Sequence, residues 1–286
     1  MTARSYLFVP ANRPELIGKA LSSAADEVVI DLEDAIPANQ KDSARQIASQ
    51  ALAGFTQQDL ARIWVRINAV GTPTCQADLS MLTGSGVGVR VPKVDSVADL
   101  EWVSGEAAGA KLIVTIESAR GVLAAPSLAS FPAVTRLAMG GLDLTHDMRC
   151  ADDPMALLFA RSSIVVASRA AGLPGPINSV YPILDDTEGL RQHVRHAASL
   201  GFRAQSVLSP RQLPVVHEVY STDSSKLAWA EDVLTAFRAA DGQATRSSTG
   251  EFVDLPVARR AAEIAAEHRA REERDDNGDV QLSGTA

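Results

Sequence analysis

The chain has 286 residues, 46% of them hydrophobic, a formal net charge of −8 and two cysteines. The sequence pI is about 5.2. Such an acidic chain excludes a general nucleic-acid surface, which needs a basic face. Cys75 and Cys150 lie far apart and offer neither a disulfide framework nor a Cys-rich metal motif, so a reducing, cytoplasmic setting is expected. No apolar run approaches the roughly 18 residues of a membrane span, and the N-terminal stretch lacks the apolar core of a signal peptide.

Eight short runs rich in Val, Ile, Leu and Phe follow one another at 5–10, 27–33, 62–68, 88–94, 111–118, 136–143, 176–183 and 203–210. Unbroken β-branched runs of this length suit buried parallel strands. Stretches with apolar residues three and four apart lie between them, at 13–25, 38–53, 97–109, 157–171, 187–200 and 211–220. Asp95, Ser96, Asp185 and Asp186 are N-cap candidates, and Gly172 and Gly201 stand where helices end. The alternation predicts a (β/α)8 TIM barrel over 1–222. A doubly wound open sheet is the alternative. No Gly-x-Gly-x-x-Gly turn follows the first strand, which weakens a dinucleotide-binding reading. Beyond the barrel, 223–270 reads as a C-terminal helical extension with a helix near 257–271, and 271–286 as a polar, disordered tail.

In such a barrel, reactive groups come from the C-terminal ends of the strands. Those ends carry Asp31, Glu33 and Asp34, then Arg66 and Asn68, Lys93, Glu117 and Asp143. Glu117 and Asp143 are two carboxylates on consecutive strand ends with no Cys beside them. Hard oxygen donors of this kind suit Mg²⁺, which keeps several waters or substrate oxygens. The plainer reading makes one a helix cap and the other a surface acid. Arg66 is placed to clamp a substrate carboxylate, or to pair with the strand-two acids. Lys93 reads as an ion-pair partner of Glu33 or Asp31 rather than an imine-forming lysine. His193 and His196, on one predicted helix, read as solvated.

Seven short segments in order carry a family resemblance. They are Arg4-Ser5-Tyr6-Leu7-Phe8-Val9-Pro10, Ile30-Asp31-Leu32-Glu33-Asp34-Ala35, Val65-Arg66-Ile67-Asn68, Val91-Pro92-Lys93, Ile116-Glu117-Ser118, Gly140 to Asp147, and Phe252-Val253-Asp254-Leu255-Pro256. From about Arg4 to about His268 the chain resembles the citrate lyase β-subunit-like branch of the HpcH/HpaI aldolases, which includes malyl-CoA and citramalyl-CoA lyases. The resemblance implies a Mg²⁺-dependent carbon–carbon lyase acting on a β-hydroxyacyl-CoA such as citryl-CoA or malyl-CoA, releasing a 2-oxoacid and a short acyl-CoA. It implies Glu117 and Asp143 as metal ligands, and Arg66 as the contact to the substrate acid and enolate oxygen. Glu33 and Asp34 become acids beneath the metal. Phe8, Pro10, Arg13 and Lys19 fall where relatives hold coenzyme A. Asp254 becomes a proton donor on a lid that reaches a neighbouring subunit, and a homotrimer or hexamer is implied. Two positions depart from the pattern: Ala11 stands where Gly is usual, and Ser209 where His is usual. They motivate a CoA-independent 2-oxoacid aldolase as an alternative. A β-subunit of a multi-component citrate lyase, acting on a carrier-bound acyl group, is another.

Overall fold

The structure, a computed structural model, describes residues 3–151, 153–221 and 224–282. The chain divides into two compact units, Thr2–Tyr220 and Ser221–Ala286.

The first unit alternates strand and helix throughout. It opens with β1 (Ser5–Pro10), α1 (Pro14–Leu21), β2 (Glu27–Asp31), α2 (Lys41–Ala53), α3 (Gln57–Leu60) and β3 (Ile63–Arg66). There follow α4 (Pro73–Leu82), β4 (Gly88–Val91), α5 (Val97–Glu106), β5 (Leu112–Ile116), α6 (Ala119–Ala129) and β6 (Val134–Met139). It closes with α7 (Gly141–Met148), α8 (Leu158–Ala170), β7 (Ile177–Asn178), α9 (Thr187–Leu200), β8 (Ala204–Val207) and α10 (Leu213–Tyr220). The eight strands form a closed parallel barrel in sequence order, with β8 pairing back onto β1. This is the (β/α)8 fold that the alternation predicts.

Side chains alternate between two cores, as a closed sheet requires. Leu7, Val28, Ile30, Val65, Val89 and Val114 face outward and pack in the large core shared with the helices. Tyr6, Val29, Trp64, Ile113, Ala138, Ile177 and Ala204 form a separate apolar cluster inside the barrel. Below them Arg136 closes the N-terminal end, donating to the Ala3 carbonyl at 2.7 Å and the Gly175 carbonyl at 2.8 Å. The barrel is therefore plugged, and only its C-terminal end is open to chemistry.

Several boundaries differ from the sequence pattern. Residues 136–143 do not make one strand, because Gly140 and Gly141 break the run and start α7. Asp143 thus lies in the first turn of a helix. The seventh strand shrinks to Ile177–Asn178. Helix α4 is missing from the apolar pattern, but Thr72 caps it, accepting from the Cys75 N–H at 3.1 Å, and Pro73 starts it. Helix α6 carries Pro126 in its interior, which hides it from a periodicity search.

The second unit contains α11 (Ser224–Ala239), a two-stranded antiparallel ribbon of β9 (Thr245–Arg246) and β10 (Phe252–Val253), and α12 (Leu255–Leu282). Ala230, Val233, Val253 and Ala261 form its core. Helix α12 runs past residue 271, where the sequence pattern ends the helix and begins a disordered tail. Residues 283–286 lie outside the described residues.

Trp64 fills the barrel interior over Gly88, and a Cβ at Gly88 would collide with the indole ring. Overpacking of this kind costs about 1–3 kcal/mol. Gly88→Ala is therefore expected to lower the unfolding free energy by that amount, read as a lower urea midpoint by circular dichroism.

Candidate active site

The open end of the barrel holds a cavity of about 420 Å³. Phe8 and Pro10 of β1, Asp31 of β2 and Asp34 in the loop beyond it, Arg66 of β3, Glu117 after β5 and Asp143 of α7 all line it. Four strand ends and the first turn of α7 therefore converge on it.

The pair Asp31–Arg66 organises the strand-two side. Arg66 Nε donates to Asp31 Oδ1 at 2.8 Å and Nη2 to Oδ2 at 2.7 Å, a bidentate fork. The same carboxylate folds the loop beyond it, accepting from the Glu33 N–H at 2.9 Å and the Ala35 N–H at 3.2 Å. Lys41 ties the loop down from α2, donating to the Leu32 and Glu33 carbonyls at 2.7 and 2.6 Å. Asn68 adds a bond to the Leu32 carbonyl at 3.0 Å and is itself fixed by Asp78 at 2.7 Å. Glu33 and Asp34 are thus aimed by a rigid turn.

Glu33 joins two cations. Its Oε1 lies 2.7 Å from Lys93 Nζ, the partner expected from the sequence, and its Oε2 lies 3.0 Å from Arg66 Nη1. The Arg66 contact is close in charge but poorly aligned for a hydrogen bond, and Oε2 has no hydrogen-bond partner. Burial pushes the Glu33 carboxyl up, and the charges of Arg66 and the bond from Lys93 oppose it only in part. Asp34 is half exposed, 3.5 Å from Arg66 and 3.6 Å from Lys93. Burial alone would pull Arg66 down, but Asp31, Glu33 and Asp34 outweigh it and hold the guanidinium above its ordinary value. Both expected roles of Arg66 therefore meet at one point: it is ion-paired, and it faces the cavity.

Glu117 is buried at the cavity wall and accepts from the Lys93 N–H at 2.5 Å. Lys93 itself has a left-handed backbone with φ 52°. A non-glycine residue held there costs about 1–3 kcal/mol, and such strain collects at functional sites. Gly140 lies against the other carboxylate oxygen, where any Cβ would collide with it. Burial pushes the Glu117 carboxyl up to about 7, with the charges of Glu33 and Asp143 adding to the rise. Two carboxylates that repel each other, one in a tight cradle without a neutralising side chain, form a donor set that suits a hard divalent cation. Among the described residues no group of three or more His, Cys, Asp or Glu side chains could hold a metal.

The remaining expected residues are distributed unevenly. Phe8 and Pro10 face the cavity, while Arg13 and Lys19 lie exposed on the first turns after β1. Arg13 pairs with Glu15 at 2.5 Å, so part of its charge is spent locally. Ala11 is fully buried and donates its N–H to the Asp31 carbonyl at 3.0 Å. Ser209 caps a short turn, its hydroxyl accepting from the Arg211 N–H at 3.3 Å. Asp254 belongs to the second unit, where its carboxylate caps α12, accepting from the Val257 N–H at 3.1 Å. His193 is not solvated as its helix position suggested. It contacts Asn178 at 2.8 Å and the Ser179 carbonyl at 3.3 Å, beside the cavity. Burial leaves His196 Nε2 without a hydrogen-bond partner and holds its pKa below the ordinary value. Arg90, in the middle of an apolar run, also lines the cavity, a placement the sequence pattern does not mark.

A family model described as HpcH/HpaI aldolase/citrate lyase matches residues 4–210. The chain belongs to this family. It is a lyase. The citrate lyase subunit beta of Leuconostoc mesenteroides is 33% identical over 278 residues, covering 91% of each chain. The (3S)-malyl-CoA thioesterase of Cereibacter sphaeroides is 31% identical over 256 residues, covering 88% of this chain and 89% of the relative. Among solved structures, Mycobacterium tuberculosis CitE in complex with magnesium, acetoacetate and coenzyme A superposes with a TM-score of 0.80 at 32% identity, covering 93% and 97% of the two chains.

A metal held by Glu117 would need its ionised form. Below about 7 a proton occupies that carboxyl in the metal-free protein, so Mg²⁺ and a proton compete. Mg²⁺ affinity, measured by calorimetry, is expected to fall about tenfold per pH unit below that point, and to be flat above it. Glu117→Ala and Asp143→Ala are expected to abolish binding at every pH.

Proposed function

We propose that the chain is a Mg²⁺-dependent carbon–carbon lyase that splits a β-hydroxyacyl-CoA, such as citryl-CoA or malyl-CoA, into a 2-oxoacid and a short acyl-CoA. The observation that carries this reading is the meeting of Glu117 and Asp143 with Arg66 in one cavity. The relatives add to it: citrate lyase subunit beta, a malyl-CoA thioesterase, and CitE crystallised with magnesium and coenzyme A. No helix among the described residues is long and apolar enough to cross a membrane, and the enzyme would act in the cytoplasm.

Glu117 and Asp143 would hold the ion, which when bound polarises the hydroxyl and carboxylate oxygens of the substrate. The hydroxyl would lose its proton to solvent water at the open end of the cavity as the adjacent carbon–carbon bond breaks. That leaves a 2-oxoacid and the enolate of the acyl-CoA, and a proton returns to the enolate carbon. Arg66 has its Nε and one N–H of Nη2 committed to Asp31 and its Nη1 turned toward Glu33 and Asp34, and the second N–H of Nη2 would serve the developing enolate oxygen. Lys93 and Glu33 would hold that guanidinium and its surroundings in place. Phe8 and Pro10 would line the acyl end, with Arg13 and Lys19 nearer the phosphates of coenzyme A. Asp254 would return the proton from a lid of a neighbouring copy in a homotrimer or hexamer.

Incubation with Mg²⁺ and citryl-, malyl- and citramalyl-CoA, followed by chromatography of the CoA species, tests the reading. Release of an acyl-CoA with a 2-oxoacid from one of them is expected, and no such products from any would refute it. In that assay Glu117→Ala is expected to be inactive. Glu33→Ala should lose roughly 10- to 100-fold in turnover while still binding metal. Asp254→Asn should lower kcat and leave KM within about twofold, as expected for a proton donor absent from ground-state binding.

A second reading takes the chain as one subunit of a multi-component citrate lyase. The likeness over 91% of a citrate lyase subunit beta favours it. Turnover of carrier-bound citryl groups with none of free citryl-CoA would select it.

A further inference from the structure

Arg66 is not the only guanidinium in the cavity, and its charge is the more fully answered of the two. Three carboxylates surround it. Arg90, 3% exposed, lines the same cavity from the middle of β4. Among the described residues it forms no ion pair. Its Nε donates to Thr115 Oγ1 at 3.2 Å and its Nη1 to Ser206 Oγ at 3.3 Å, both long and both to neutral hydroxyls. Among the described residues these are its only side-chain hydrogen bonds. Phe8 lies between the two guanidiniums, with Arg66 Cζ 5.1 Å and Arg90 Cζ 4.8 Å from the ring centroid. Burial and the repulsion of Arg66 lower the Arg90 pKa to about 10. A buried guanidinium without a carboxylate is costly, and an anion supplied by a ligand would relieve that cost.

The position of Arg90 says which part of a ligand would do so. Its partner Thr115 lies two residues before Glu117 on the same strand end, deeper in the barrel by about 7 Å at roughly 3.3 Å per residue. The cavity is thus acidic at its rim, where Glu117 and Asp143 stand, and cationic at its floor. Monocarboxylic 2-oxoacids have nothing to offer the floor once their carboxylate and oxo group sit at the rim. Dicarboxylic ones do, because a four-carbon diacid spans a similar distance end to end.

We propose that Arg90, supported by Thr115 and Ser206, binds the distal carboxylate of a dicarboxylic 2-oxoacid unit and makes the enzyme select such substrates over monocarboxylic ones. This rests on the lyase reading for the reaction, but the recognition is separable from turnover.

The test is calorimetry of the full-length protein with Mg²⁺, titrated with oxaloacetate and with 2-oxobutanoate, a monocarboxylate of the same carbon count. The wild type is expected to bind oxaloacetate at least about tenfold more tightly, the scale of one charge-assisted contact. Arg90→Met is expected to abolish that preference and leave 2-oxobutanoate affinity within about twofold. Arg90→Lys should restore part of it. Equal binding of the two acids by the wild type would overturn the proposal. So would a preference that survives Arg90→Met, or a parallel loss of both affinities in that variant. Should Arg90→Met fail to fold, Arg90→Gln, which removes the charge and keeps a polar group for Thr115 and Ser206, carries the same test: loss of the preference supports the proposal and an unchanged preference overturns it. A retained preference in a protein that cleaves no thioester would sink the lyase reading and leave this one standing.

Discussion

The two-pronged bond between Asp31 and Arg66 is the constraint on which the open end of the barrel depends. It joins the ends of β2 and β3 through side chains, directly above the last backbone pairing of the two strands. The same aspartate then shapes the following loop by accepting two backbone N–H groups. One carboxylate thus fixes a strand end, a guanidinium and the turn that carries Glu33 and Asp34. Replacing it would leave Arg66 buried beside two acids that were never positioned to satisfy it alone. Arginine suits the task because its planar fork makes two parallel bonds from one side and leaves terminal hydrogens for a ligand.

Electrostatic sorting by depth follows from that clamp. Carboxylates collect at the rim, on loops and helix starts, where water and a cation reach them. Guanidinium groups lie lower, on strands, beside an aromatic ring that accepts their faces. Beneath both, the interior turns apolar, with Trp64 pressed over Gly88. The left-handed Lys93 belongs to the same rim, where its N–H donates to Glu117.

Much of this was legible in the sequence because the strands are nearly continuous apolar runs and their ends change character abruptly. Glu33, Arg66, Lys93 and Glu117 stood out for that reason, and the Lys93–Glu33 pair was recoverable from opposite charges at the ends of two strands that flank β3. Asp143 was found for a partly mistaken reason: it lies on a helix that begins two residues earlier, and the Gly140-Gly141 pair was the signal for the break. Arg90 escaped because a lone charge inside Gly88-Val89-Arg90-Val91 reads as a blemish in a strand. Period-two alternation, counted from Gly88, would have placed it inside the barrel. His193 escaped because helix periodicity does not report what a loop from β7 brings against it. Helix α6 was hidden by the proline inside it, and α4 by a weak apolar pattern although Thr72 and Pro73 mark its start.

The plugged barrel bears on the timing of events as well as on their chemistry. Tyr6, Trp64 and Ile113 fill the interior and Arg136 closes the far end, so everything that enters must return by the same opening. A reaction that splits one molecule into a small fragment near the floor and a large one at the rim then has an enforced exit order. The large fragment leaves first, and the small one waits behind it. In the reverse direction the small partner must enter before the large one. Steady-state kinetics of such a vessel are ordered, and the fragment that leaves last is the one that competes with the incoming substrate for the empty enzyme.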